Sequence, residues 1–246
     1  MTSNLSYEEM VGHVAERSAV LRSAIAGALD APVPGCPDWT GRDLVAHLGE
    51  VQRFWAVVVA AGPADGPPGE EVPDTRPSGD LLDWSERGTD ELVAALRVAG
   101  PGAGAWTWWG EPRTAGAIAR HQVQEAAVHA WDALDTARRA DELPVAVAVD
   151  GVEEFLGVEV AAGPKWPHAD ATIAVIADEV PDSAWLVRFA DGVGHVERGA
   201  ASGDAVLRGP ASALVLAFYG RRGPESLSIS GDREVATRLL DWFVTE

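Results

Sequence analysis

Apolar residues recur at intervals of three and four along the first half of the chain, which is the spacing of one face of an α-helix. Met10, Val14 and Leu21 mark such a face in the first segment, and Leu44 and Leu48 begin another. Between the segments lie runs rich in Pro and Gly, of which 62–79 is predicted to be a surface loop. The pattern predicts four helices, over about residues 7–29, 40–61, 80–98 and 114–139.

Beyond about residue 142 the helical spacing gives way to alternation of apolar and polar positions, which is typical of strands. The alternating segments are ATIAVIA (171–177), AWLVRFA (184–190), GHVERGA (194–200) and DAVLRGP (204–210). A helix at about 148–161 precedes them, and the helix ASALVLAFYG, the short strand SLSIS and the amphipathic helix DREVATRLLDWF follow. The sequence therefore predicts an α+β protein with a helical bundle over residues 1–143 and a smaller α/β domain over 144–246.

Composition narrows the range of partners. The 246 residues carry a formal net charge of -19, which argues against binding to nucleic acid or anionic lipid, because such binding needs clustered Lys and Arg. The N-terminus lacks the pattern of a signal peptide, and we expect a cytoplasmic protein without a membrane span, present as a monomer or homodimer. The single Cys36 excludes an intrachain disulfide and a thiolate-rich structural zinc site, and it is interpreted as a packed or idle thiol.

Three histidines lie four residues after a carboxylate inside predicted helices, so that each pair shares a helix face. The pairs are Glu9 with His13, Asp43 with His47, and Glu125 with His129. His121 extends the last row, but about 12 Å of helix axis separates it from His129, too far for the three to hold one ion. Spacing alone does not choose among the pairs, and a third metal ligand must come from elsewhere.

Two imidazoles and one carboxylate around an ion would leave a coordination position open for water or substrate, as in catalytic zinc and non-haem iron sites. The alternative is that Glu125 and His129 belong to the solvated face of an amphipathic helix. Apolar residues around them, among them Val123, Ala127 and Trp131, leave little polar surface for such a face.

The motifs CPDWTGRDLVAHLGEV and QEAAVHAWDA resemble the actinobacterial mycothiol-dependent maleylpyruvate isomerase family. The resemblance covers most of the chain and implies a DinB-like four-helix bundle followed by a sterol-carrier-like domain. It implies that a metal, usually zinc, is held by His47, Glu125 and His129, and it is what favours His47 over His13. Many members carry a histidine where this chain has Gln124, which bears on a contact beside the metal rather than on the ligands.

The resemblance also implies mycothiol as cofactor or co-substrate and an anionic or electrophilic substrate. An arginine of the family's C-terminal domain that binds the anionic substrate matches Arg221, in LRGPASALVLAFYGRRGPESLSISGD. Arg222 and Trp109 are candidates for contacts with the thiol, with a surface loop and ordinary packing as their respective alternatives. Asp132 and Asp43 are each placed to orient an imidazole or to serve as a helix cap or solvated side chain.

These features favour a zinc-dependent enzyme in which a metal-bound small-molecule thiol is deprotonated and adds to an electrophilic carbon. Isomerisation and S-transfer would use the same thiolate, and the sequence does not separate them. A metal-dependent hydrolase, activating water at the open position, is a second hypothesis. A non-enzymatic small-ligand-binding protein is a third.

Overall fold

The computed structural model describes residues 5–69, 76–199 and 201–242. The chain divides into two compact units, one formed by Leu5–Asp141 and the other containing Glu142–Glu246. The first unit is mainly helical and the second combines helices with a sheet. The predicted α+β class, with helices first and strands after, is confirmed.

The first unit is a bundle in which α1 packs mainly against α4, and α2 against α3. The helices are α1 (Tyr7–Ile25), α2 (Gly41–Ala61), α3 (Leu81–Ala99) and α4 (Ala115–Thr136). Capping boxes begin α1 at Ser6 with Glu9 and α2 at Thr40 with Asp43. The helix predicted over 7–29 ends at Ile25, and the one predicted over 114–139 ends at Thr136. The predicted loop at 62–79 lies partly at 70–75, outside the described residues.

A short hairpin that the periodicity did not predict connects α1 to α2. It pairs β1 (Pro32–Val33) with β2 (Cys36–Thr40), and the backbone N–H groups of Gly41 and Arg42 donate to Ala31 O and Leu29 O. These tertiary hydrogen bonds explain why α1 stops early, since residues after Ile25 pair with the start of α2. The hairpin joins a core cluster formed by Leu21, Ile25, Val33, Cys36, Leu44, Val45, Leu48, Ala130 and Ala133.

Helices α2 and α3 approach closely at Gly49, where an added Cβ would overlap the ring of Trp84. One turn further along α2, the buried Gln52 amide donates to Ser18 Oγ (2.8 Å) and accepts from Thr89 Oγ1 (2.7 Å). This chain of hydrogen bonds joins α1, α2 and α3 and fixes their register, because every buried polar atom in it needs its partner.

Helix α2 is long and apolar enough to cross a membrane by length and composition alone. Half of its most apolar window is buried inside the protein, and Leu44, Leu48 and Val58 are almost fully covered. Packing in the bundle therefore accounts for its apolar character.

The second unit begins with α5 (Val145–Phe155), which continues into a π-helical turn, Leu156–Val160, where one α-helix was predicted over 148–161. Among the described residues its five-stranded sheet has the order β5-β4-β3-β6-β7, antiparallel except between β3 and β6. The strands are β3 (Ala171–Ala177), β4 (Ala184–Ala190), β5 (Val193–Arg198), β6 (Ala205–Gly209) and β7 (Ser228–Gly231).

Helices α6 (Ala211–Phe218) and α7 (Arg233–Trp242) complete this unit. Its core contains the fully buried rings of Trp185, Phe155 and Phe218, the last two stacked at 4.8 Å. The strand predicted over 194–200 ends at residue 198 in the structure, and residue 200 lies outside the described residues. The final helix, predicted to reach residue 243, is described as far as Trp242, and residue 243 also lies outside the described residues.

Candidate metal centre

Two helices far apart in the sequence supply the candidate ligands. His47 lies in the second turn of α2, whose start is fixed by the Thr40 cap, and Glu125 and His129 lie one turn apart on α4. The carboxylate of Asp43 accepts hydrogen bonds from the Thr40 backbone and hydroxyl, which lowers its pKa. Asp43 is therefore a helix cap, one of the roles that its spacing from His47 left open beside the orientation of an imidazole.

The three side chains converge on one carboxylate oxygen. His47 Nε2 lies 2.9 Å from Glu125 Oε1, and His129 Nε2 lies 3.3 Å from the same atom. Within the described residues, one ligand-type atom from each of the three lies within 4.8 Å of the others. His129 is the most buried, with 9% of its side chain exposed, against 35% for His47. The structure thus brings together the three residues that the resemblance implied, in a donor set that suits a divalent ion.

Burial opposes charge on Glu125 and His129, yet each holds the other in its charged form. Burial alone would raise the pKa of Glu125, but the charge of His129 and hydrogen bonds from His129 and His47 take that pKa well below its usual range. Burial would lower the pKa of His129, but the carboxylates of Glu125 and Asp132 raise it to about 9. A cation entering the site would therefore compete with a proton held on His129.

Metal binding should tighten as the pH rises toward about 9. His129 is protonated below its pKa of about 9, so the apparent affinity should rise by up to about tenfold per pH unit from neutral pH and then level off. Competition with a chromophoric chelator measures this dependence. The same proton stabilises the metal-free fold fully below about pH 6.5, and that contribution is lost as the pH rises through about 9. An affinity that does not change with pH over this range would contradict the assignment.

Asp132 supports His129 from behind. Its side chain is fully buried, and its Oδ2 lies 2.9 Å from His129 Nδ1. When Nδ1 donates to this carboxylate and the proton on Nε2 has left, Nε2 can present its lone pair to an ion shared with Glu125. The buried Cys36 lies 3.8 Å from the same oxygen through its sulfur, so the expected packed thiol also contacts this carboxylate.

Replacing Asp132 by asparagine should weaken metal binding by about 10-fold to 100-fold, because a neutral amide holds the His129 tautomer less firmly. The matched control is Asp43→Asn, which alters a carboxylate on α2 that caps the backbone and belongs to no ligand cluster of the described residues. Zinc affinities of both variants test this, with Asp43→Asn expected to match the unaltered protein. Equal affinities in the two variants would show that Asp132 does not position the ligand.

A residue that the sequence reasoning missed covers the ligand rings. The indole of Trp39, on β2, lies 4.7 Å from the ring of His47 and 5.8 Å from that of His129. It is half-buried and packs against both imidazole rings. Two sequence signals pointed to it: its position directly before the Thr40 cap, beside the first turns of α2, and its place in the motif CPDWTGRDLVAHLGEV.

Aromatic rings gather at the other end of the ligand row on α4. His121 contacts Trp109 at 4.9 Å, Trp108 at 6.1 Å and Trp55 at 6.2 Å between ring centroids. Trp109 is 8% exposed and packs inside this cluster, whereas Trp108 is 46% exposed. Trp109 thus packs within this cluster, and its role toward the thiol stays a prediction.

The two candidate arginines lie in the second unit. Arg222 forms a two-pronged ion pair with Glu142, at 2.8 and 3.2 Å, and Arg221 donates to the Tyr219 carbonyl at 2.7 Å. Both are partly exposed, and their roles toward substrate or thiol stay predictions.

Gln124 is fully buried on α4, and the remaining histidines have different surroundings. His13 lies 3.3 Å from Glu16 through Nδ1, His168 packs against Trp166, and His195 is exposed on β5. No group of potential ligands that includes one of them is found in the described residues.

Comparison with known proteins covers both units. A family described as "Mycothiol maleylpyruvate isomerase N-terminal domain" matches residues 11–134, and one described as "MDMPI C-terminal domain" matches residues 146–238. A crystal structure of the mycothiol-dependent maleylpyruvate isomerase is 17% identical, with a TM-score of 0.59, over 94% of this chain and 96% of that one. The structure of a histidine-to-alanine mutant of that enzyme is 16% identical, with the same TM-score and coverage. At such identities the likeness concerns the fold. None of the curated proteins compared with the chain matches it significantly.

Proposed function

The chain belongs to the mycothiol maleylpyruvate isomerase family, and from this premise we propose that it is a metal-dependent isomerase that uses mycothiol as its thiol cofactor. The observation that carries the proposal is the convergence of His47, Glu125 and His129 on one point, with their ligand-type atoms within 4.8 Å of one another.

The donor set favours zinc. Two imidazole nitrogens and one carboxylate oxygen are the protein ligands of many catalytic zinc sites, which keep a further position for water or substrate. In such a site an ion would lower the pKa of a coordinated thiol, so that a thiolate nucleophile is available at neutral pH.

The chain's own residues would prepare that position. Asp132 would keep His129 in the tautomer that presents Nε2, and Trp39 would hold both imidazole rings and shield them from water. Glu125 would contribute a negative charge, since its pKa is well below the usual range. Such preorganisation matters because ligand side chains that are already fixed cost little to order when the reaction begins.

Isomerisation suits a substrate with a double bond conjugated to carbonyl groups. Addition of a thiolate to one carbon would move the π electron pair onto the conjugated carbonyl oxygen as an enolate and leave a single bond. Rotation about that bond would exchange cis for trans, and return of the electron pair would expel the thiolate and restore the double bond. Arg221 is our candidate for the group that binds a substrate carboxylate, because a guanidinium can grip it through two hydrogen bonds. Arg222, which pairs with Glu142, stays a candidate for a contact with the thiol.

The test uses purified full-length protein loaded with zinc, maleylpyruvate as substrate, and mycothiol either present or absent. We expect isomerisation that needs both zinc and mycothiol, with the thiol recovered unchanged. A stable thioether product would identify an S-transferase, and a hydrolysed product formed without thiol would identify a hydrolase. Protein that binds neither zinc nor thiol would overturn the proposal and leave a small-ligand carrier.

A further inference from the structure

The aromatic cluster around His121 contains one ring that packing does not account for. Trp55 and Trp109 are 4% and 8% exposed, as expected of core residues, but Trp108 is 46% exposed. Indoles usually become buried, because their large apolar surface gains free energy on leaving water. The cluster has four tryptophans, since Trp106 also stacks on Trp55 at 6.2 Å. An open indole at the edge of such a group of aromatic rings is the kind of surface that binds a ligand.

The loop that carries Trp108 is held in place by its backbone. Ala105 N donates to Arg113 O at 3.1 Å, Gly104 and Thr114 form a β-bridge, and Thr107 Oγ1 donates to Gly110 O at 2.5 Å. The ring of Trp108 also meets that of Trp109 edge to face at 5.4 Å. The exposed indole is thus presented in a fixed orientation, which reduces the entropy lost when a ligand stacks on it.

Helix α4 connects this indole to the metal centre. His121, Glu125 and His129 succeed one another at four-residue steps on one face, and Trp108 contacts His121 at the far end of that row. At 1.5 Å per residue, His121 lies about 6 Å along the axis from Glu125 and about 12 Å from His129. A thiol with its sulfur at the metal centre would reach Trp108 if the rest of the molecule were about two rings long.

We propose that Trp108, with His121 beside it, is a stacking subsite for the polyhydroxylated rings of the thiol cofactor. The inference rests on the proposed function, since it takes mycothiol, a cysteine joined to two such rings, as the thiol. The C–H faces of these rings are apolar and match the face of an indole, while their hydroxyl groups stay in water. The subsite would therefore select a ring-bearing thiol over a small one.

The test compares two thiols on zinc-loaded, full-length protein: mycothiol, and N-acetylcysteine, which has no rings. The variants are Trp108→Ala, Trp108→Phe and the control Val98→Ala, which truncates an exposed apolar side chain outside the cluster. Calorimetry should show the Kd for mycothiol rising about tenfold in Trp108→Ala and less in Trp108→Phe, since a stacked ring contributes on this scale. Val98→Ala should leave that Kd unchanged, and N-acetylcysteine should bind all four proteins equally.

A Kd for mycothiol that is unchanged in Trp108→Ala would overturn the subsite. Equal weakening of mycothiol and N-acetylcysteine binding would overturn it too, because it would reveal a general disturbance of the bundle. The S-methyl thioether of mycothiol, added to metal-free protein, separates this proposal from the proposed function. If thioether binding depends on Trp108 but zinc does not tighten the binding of either thiol, thiol activation is wrong and the subsite stands. If both thiols bind at the metal but Trp108→Ala changes nothing, only the subsite fails.

Discussion

Replacing Glu125 by alanine should lower zinc affinity at least about 1000-fold and abolish thiol-dependent isomerisation. The Oε1 atom of Glu125 is the point that both imidazoles approach, at 2.9 and 3.3 Å, so its loss removes the central ligand. It also leaves His129 without the main charge that keeps it protonated, because burial by itself lowers the pKa of that imidazole. Zinc content after dialysis and the rate with mycothiol measure the two effects.

The sequence contains a matched control for this prediction. Glu9 and His13 repeat on α1 the four-residue spacing of Glu125 and His129, but His13 lies near Glu16 and away from the centre. His13→Ala should keep full zinc content and activity. Zinc loss in His13→Ala, or retained stoichiometric zinc in Glu125→Ala, would show that the proposed ligands are wrong.

The largest effect on stability is expected where α2 and α3 touch. Gly49→Ala adds a methyl group that would overlap the ring of Trp84, which is 4% exposed and has no room to withdraw. We expect the free energy of unfolding to fall by about 2 kcal/mol, since overpacking of a core costs more than alanine gains in helix propensity. Urea denaturation followed by circular dichroism measures the change.

Gly12 on α1 offers the opposite case. An added Cβ meets nothing within 4 Å there, so Gly12→Ala should raise stability by up to about 1 kcal/mol. If both alanine variants changed stability in the same direction, the close approach of α2 and α3 would not be the reason for a glycine at position 49.

Periodicity and capping residues were enough to predict the helices, because the apolar stripes and the Ser6 and Thr40 boxes are local signals. The hairpin between α1 and α2 was not predictable in this way, since it depends on hydrogen bonds between residues around Leu29 and the start of α2. The end of α1 was placed too late for the same reason.

The candidate site was likewise predictable only where local sequence signals define it. Four-residue spacing identified Glu125 and His129 as neighbours on one helix face, but only the resemblance distinguished His47 from His13, because that choice depends on how α2 packs against α4. Asp43 and Asp132 looked equivalent from spacing, and the fold separates a solvent-facing cap from a fully buried partner of an imidazole. Trp39 comes from the hairpin, and the sequence pattern had not predicted its contact with the ligand rings.

An ion held by the three candidate ligands would link cation binding to folding of the first unit. His47 and Glu125 are 78 positions apart in sequence, so the unfolded chain offers no comparable site. An ion that binds only the native bundle shifts the folding equilibrium by mass action, by about 2.7 kcal/mol at a free concentration 100 times its Kd. Removal of such an ion by a chelator would lower the free energy of unfolding and raise the fraction of unfolded chain that proteases can cut, even when no substrate is present.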